Sequence, residues 1–300
     1  MDDLRRACAQ VAERARSVRV QTTVIPRYAA GLGLPPAPAG DASDTRGREA
    51  KAAFWLTVDA INFGSGWFPT LRKRDGRSGY HTIAAGLRDH FDAHGAWSPE
   101  ELIGLDAGAT AAAFAQDPAH ELMELFAISL ADLGRHVAEE HGGSFSAVID
   151  AAHGSAVGLA RLLGGWSCFA DCSRYDELEV PFLKRAQIAA ADLARAGVGQ
   201  FSDVDRLTMF ADNLVPHVLR QDGVLHFEPE LIRRIDMGEL IEQGSPEEVE
   251  IRACTVHAVE LIVAARPGTR AADVDELLWT RGGEPVYKAS PRHRSPCTAY

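Results

Sequence analysis

Apolar positions along this chain recur mostly three and four apart, the period of a half-buried helix. Residues 2–19 read as one amphipathic helix, and the same period predicts helices at 49–63, 80–93, 99–104, 109–115, 119–140, 145–152 and 155–163. It predicts three more at 181–196, 205–215 and 246–264. Ser98-Pro-Glu-Glu and Ser245-Pro-Glu-Glu each combine an N-cap Ser, Pro at the first helical position and Glu at the third, so both mark helix starts. Two-residue alternation is confined to short pieces such as VQTTVIP (20–26). GLPPAPAGDASDTRG (33–47) is a Pro/Gly/Asp loop, GSGWFP (64–69) interrupts a helix, and Gly197 and Pro216 are read as stops. There is no internal repeat and no flexible linker. The pattern predicts a single all-α domain, large enough for two lobes, in which 1–48 form an N-terminal helix and loop and 49–300 the main body.

Composition narrows the class. With 46% hydrophobic and 24% charged residues, the chain has enough apolar surface to fold around a core. Lys and Arg total 31 against 42 Asp and Glu, a net charge of 31 − 42 = −11. An acidic surface repels phosphodiester backbones, so long nucleic acid is not an expected partner. No apolar run is long enough to span a bilayer, and MDDLRRACAQVAERARSVRV is charged throughout, unlike a secretion signal. The five Cys are scattered and odd in number, which fits reduced thiols. A cytoplasmic monomer is the expectation.

Motif spacing excludes several chemistries. Cys168-Phe-Ala-Asp-Cys172 lacks a second Cys pair, and His136 and His141 are five apart, off one helical face; no metal site is expected. No dinucleotide fingerprint, P-loop or nucleophile elbow occurs. What stands out is polar residues isolated in apolar segments. In LTMFADNLVPHVL (207–219), Asp212 on a helix of ~100° per residue would sit at the edge of the apolar face. Pro216 would leave the Asp212 carbonyl without a helical donor. Either a carboxylate set in a cavity or a plain helix-end cap satisfies this pattern. FWLTVDAINFGSGWFP (54–69) places Asp59 and Asn62 three apart among Phe54, Trp55, Phe63, Trp67 and Phe68, which suits a flat heterocycle or, equally, a core helix with an Asn cap. Only four Lys occur (51, 73, 184 and 288), so Lys184 beside Phe182 and Leu183 is either a compact donor with a task or a snorkelling cation. Arg292, His293 and Arg294 form a basic run that could hold a phosphate or simply lie exposed.

Six segments taken together resemble the queuosine salvage protein family: DAINFGSGWFPTLRK (59–73), YDELEVPFLKRAQIAAADL (175–193), LTMFADNLVPHVLRQDGVL (207–225), EEVEIRACTVHAVELIV (247–263), DELLW (275–279) and PRHRSPCTAY (291–300). They appear in family order from residue 50 onward. The resemblance implies a helical fold similar to helix-hairpin-helix DNA glycosylases. It implies hydrolysis of queuosine 5′-monophosphate to queuine and ribose 5-phosphate, without cofactor. It assigns the catalytic carboxylate to Asp212, a base-pocket wall to Phe210, and substrate contacts to Lys184 and Asp275. Thr280 stands where the family often has a second Asp, which puts one polar substrate contact in doubt. Cleaving the N-glycosidic bond builds positive charge on the ribose, which a preorganised carboxylate stabilises. Queuine is a 7-deazaguanine with no N7 to protonate, so its edge groups need partners; Asn62 and Asp59, with Phe63 beside them, are the candidates. Asp275 is a candidate counter-charge for the cationic side arm of the base. Lys184, Arg185, Arg292, His293 and Arg72 are unranked candidates for the phosphate. A non-catalytic 7-deazaguanine-binding protein and a nucleic-acid glycosylase are the alternatives.

Overall fold

The computed structural model describes residues 1–33 and 46–300; most of the 33–47 loop expected from the sequence lies outside them. Among the described residues fifteen α-helices and two small two-stranded sheets occur, so the chain is mostly helical. No described helix is long and apolar enough to cross a membrane.

The helix Pro246–Ala265 is the axle of the molecule. Ser245 caps it, accepting from the Glu248 N–H, and Val249, Ile251, Cys254, Val256, Val259 and Ile262 are fully buried. A helix buried on all sides needs neighbours on all sides. Asp2–Arg14, Ile25–Gly31 and the strand Val18–Val20 pack against it, and Ala271–Arg281 and Val215–Gln221 close over other parts of its surface. Its interior charges are all bonded. Glu250 accepts from the backbone N–H groups of Arg16, Ser17 and Val18 and from the Tyr175 hydroxyl. This explains why the first helix stops at Arg14 rather than running to 19. The chain turns into Val18–Val20, which pairs antiparallel with Leu225–Phe227. The helix Ile25–Gly31 follows, where the sequence suggested a β-like piece over 20–26.

The second sheet is the hairpin Cys172–Tyr175 with Leu178–Pro181, and it shortens the helix expected at 181–196 to Lys184–Arg195. Entry to that helix is sharp. Leu183 adopts a left-handed conformation (φ 52°), and its side chain lies against Gly164, where a Cβ would come within 2.5 Å of Leu183 Cδ2.

The largest departure is the expected helix at 205–215. Leu207 to Leu214 is irregular, and Pro216 opens the helix Val215–Gln221 instead of ending one. Proline has no N–H to satisfy, so the first helical turn accepts it as readily as a stop position does.

Candidate active site

The irregular segment 207–214 persists because side chains from three helices take over its backbone bonds. Gln187 accepts from the Thr208 N–H at 2.9 Å while its amide donates to Thr208 Oγ1 and the Phe182 carbonyl. Asp275 Oδ1 accepts from the Phe210 N–H at 2.9 Å. Arg252 Nε donates to the Ala211 carbonyl at 3.0 Å. Asn213 donates to the His293 carbonyl, tying in the C-terminal segment. Arg252 is sealed from solvent and is itself held by Asp171 at 2.6 Å and Glu248 at 3.4 Å, with Phe182 and Tyr300 on its faces. Asp171 also accepts from the Lys184 N–H, so one carboxylate joins the Arg252 anchor to the start of the helix carrying Lys184.

This frame presents Asp212 at the head of the helix Val215–Gln221. Its Oδ1 accepts from the Leu214 and Val215 N–H groups at 2.9 and 3.0 Å. No described residue donates a hydrogen bond to Oδ2. The cap therefore belongs to the start of the following helix, not to the end of a preceding one. Burial pushes the Asp212 carboxyl above its ordinary range, while Lys184, the two N–H groups and Arg292 pull the other way. Asp275 is driven well up by burial and by the charge of Asp212. Lys184 is lowered to about 8 by burial, against the attraction of Asp212, Asp59 and Asp275. Its Nζ donates to both the backbone carbonyl and Oδ1 of Asn62, at 2.9 and 3.3 Å. Asp212, Lys184, Asp275 and Asn62 thus come together, with half-buried Phe210 carried on the same segment.

Other candidates take different places. Phe63 is 1% exposed and packs edge-on to Phe126 at 5.1 Å, a core ring rather than a surface wall. Asp59 is 0% exposed, behind Asn62 rather than open to a ligand. Arg185 is equally buried, donating to the carbonyls of Ala60 and Cys168 from between Phe63 and Phe169. Arg72 is exposed and paired with Asp117. His293 is buried and lowered to about 3 by desolvation and by Arg292, hence neutral. Of the cations considered for the phosphate besides Lys184, only Arg292 acts on Asp212, and its buried Nε has no partner among the described residues. Tyr80, Trp279 and Asp192 were not foreseen. Trp279 lies one helical turn beyond Asp275 and meets Tyr80 edge-on at 6.1 Å. Asp192, raised to about 6 by burial, adds its charge to the environment of Asp59. The lone Asp in the Ala-rich stretch of the Lys184 helix was the available signal.

His293 gives a stability prediction. In an unfolded chain it binds a proton near 6.5, in the fold only near 3, so between those values the unfolded state holds the extra proton. Acidification through that window therefore removes stability. A His293→Gln variant should lose less melting temperature between pH 7 and pH 5 than the parent; equal losses would contradict the assignment.

Carboxylates, one lysine and half-buried aromatic rings are thus carried within a closely packed helical body. The sequence profile of the queuosine salvage protein family matches residues 42–300. The chain belongs to the queuosine salvage protein family. A queuosine 5′-phosphate N-glycosylase/hydrolase from Sphaerobacter thermophilus is 33% identical over 97% of this chain and 95% of that protein. Proteins of the same name from Dictyostelium discoideum (32% identical, 82% of this chain and 77% of that one) and from mouse (28%, 97% and 96%) are also similar.

Proposed function

We propose that this protein hydrolyses the N-glycosidic bond of queuosine 5′-monophosphate, releasing queuine for salvage into tRNA modification and leaving ribose 5-phosphate. The observation that carries this reading is Asp212: a carboxylate fixed through one oxygen by two backbone N–H groups, its other oxygen unclaimed by the described residues, beside a buried ammonium. As the C1′–N bond lengthens, the ribose gains positive charge, and the free oxygen faces that charge. It either stabilises the cation while a water attacks or itself closes on C1′ before water releases the sugar. Lys184 keeps Asp212 ionised and Arg292 takes the 5′-phosphate. Phe210, Trp279 and Tyr80 wall the base. Asp275 orders the Phe210 backbone from a position beside Asp212, so its part is to hold the pocket floor rather than to reach an outlying arm of the base. No cofactor is required.

The proposal extends to a cytoplasmic monomer acting on a small nucleotide as one domain. The five free cysteines support a reducing compartment, and the charge of −11 disfavours a nucleic-acid substrate. Incubating the protein with queuosine 5′-phosphate and following free base by mass tests the reading. Stoichiometric binding without base release would favour a carrier of 7-deazaguanines instead.

The pocket floor also gives a packing prediction. A Cβ on Gly282, at the end of the helix Ala271–Arg281, would come within 2.5 Å of Leu214 Cγ, two residues from Asp212. Gly282→Ala should cost about 1–3 kcal/mol in chemical denaturation. It should lower kcat as well, since it pushes on the cap of Asp212.

A further inference from the structure

Asp59 has no direct part in that mechanism, yet it is wholly buried, and its Oδ2 has no hydrogen-bond partner among the described residues. It is the last residue but one of the helix Arg48–Ala60, and the chain then turns, the Asn62 N–H donating to the Asp59 carbonyl at 3.3 Å. That turn brings the Asn62 amide back over the Asp59 carboxyl, where Nδ2 donates to Oδ1 at 3.4 Å. The opposite end of the amide, Oδ1, and the Asn62 backbone carbonyl both accept from Lys184 Nζ. A carboxamide can be turned end for end at little cost in shape, and only its partners decide which end points where. Turned over, it would aim two N–H bonds at the Lys184 ammonium.

We propose that Asp59 is a positioning residue for the N-glycosidase reaction: by accepting from Asn62 Nδ2 it fixes the amide with its oxygen toward Lys184, and so holds the ammonium in place on the two Asn62 oxygens. The inference rests on the N-glycosidase reading for its consequence, but not for its geometry. Burial, reinforced by the charge of Asp192, pushes the Asp59 carboxyl well above its ordinary range, against the bond from Asn62 and the charges of Lys184 and Arg185; its task here is to accept the Asn62 N–H through Oδ1. Asp212, Asp275 and Asp59 each attract the Lys184 ammonium, and Asn62 accepts from it. Arg185 adjoins it, Asp171 holds its backbone, Asp192 and Arg195 lie further along its own helix, and Arg292 acts on Asp212 from the C-terminal segment.

The test is the titration of Lys184, read by carbon NMR of protein labelled at lysine Cε. With four lysines in the chain the spectrum is simple, and the Lys184 signal is identified by its loss in Lys184→Arg. In the parent it should titrate near 8. In Asp59→Asn, whose own carbonyl can still accept from Asn62, the midpoint should stay within a few tenths of a unit. In Asp59→Leu and in Asn62→Leu it should fall by roughly a unit or more, the desolvated ammonium having lost an acceptor. The alkaline limb of kcat should move down with it, and kcat at pH 8 should drop roughly tenfold or more. Identical midpoints in the parent and in Asn62→Leu overturn the proposal, as does an Asp59→Asn variant that follows Asp59→Leu. Asn62 is half-buried, so its variant serves if Asp59→Leu does not fold. Because the titration is read without substrate, absence of queuosine 5′-phosphate hydrolysis in the parent would defeat the functional reading and leave this result separately legible.

Discussion

Replacing Asp212 by Ala or Asn abolishes base release, with kcat lower by roughly three decades or more, while the protein stays folded. The two substitutions separate chemistry from structure. Asn keeps an oxygen for the Leu214 and Val215 N–H groups, so its melting temperature should match the parent. Ala leaves the head of the helix Val215–Gln221 uncapped and should cost a further ~1 kcal/mol of stability. If Asp212 were only a cap, Asn would be active and Ala merely less stable. The pH profile carries the same claim. Asp212 must be ionised, and its carboxyl sits above its ordinary range, so the acid limb of kcat/KM should lie higher than for an exposed aspartate. Lys184 must be charged, so activity should decline again as pH rises through about 8.

The largest effect on stability is expected at Arg252. Arg252→Met strands the carboxylates of Asp171 and Glu248 in a dry interior and leaves the Ala211 carbonyl without its donor. Removing one member of a buried charged network costs about 3–5 kcal/mol, because the uncompensated charge remains. Activity should fall further than stability alone explains, since residues 207–214 have no helical hydrogen bonds of their own to keep Asp212 in place. Urea denaturation together with kcat at a temperature where the variant is folded separates the two effects. A variant within 1 kcal/mol of the parent would show that the network is dispensable.

The same segment marks the limit of what the sequence discloses. The capping signals at Ser98 and Ser245 are local, and helices begin there at Pro99 and Pro246. Asp212, Lys184 and Asn62 were each visible as polar residues in apolar surroundings, Asp275 entered only through the family resemblance, and electrostatics and hydrogen bonds link the four in the fold. Residues 207–214 carry a helical pattern, yet their backbone bonds go to Gln187, Arg252 and Asp275, partners 21 to 65 positions away along the chain. No window around Asp212 contains that information, so Pro216 read as an end when it is a beginning. Phe63 illustrates the converse error: an aromatic ring near a polar pair proved to be core, where Phe126 completes its packing. Trp279 and Tyr80 were overlooked because they lie some two hundred residues apart and meet only through the fold.

A crystal structure of Asp212→Asn soaked with queuosine 5′-phosphate tests the central claim most directly. The expected result is the intact nucleotide with C1′ roughly 3–3.5 Å from the residue 212 side chain. Its phosphate should lie on Arg292 and its base between Phe210 and Trp279. Nucleotide seated elsewhere, for instance in the polar hollow lined by Arg48, Asp150 and His153, with nothing bound at Asp212, would contradict it.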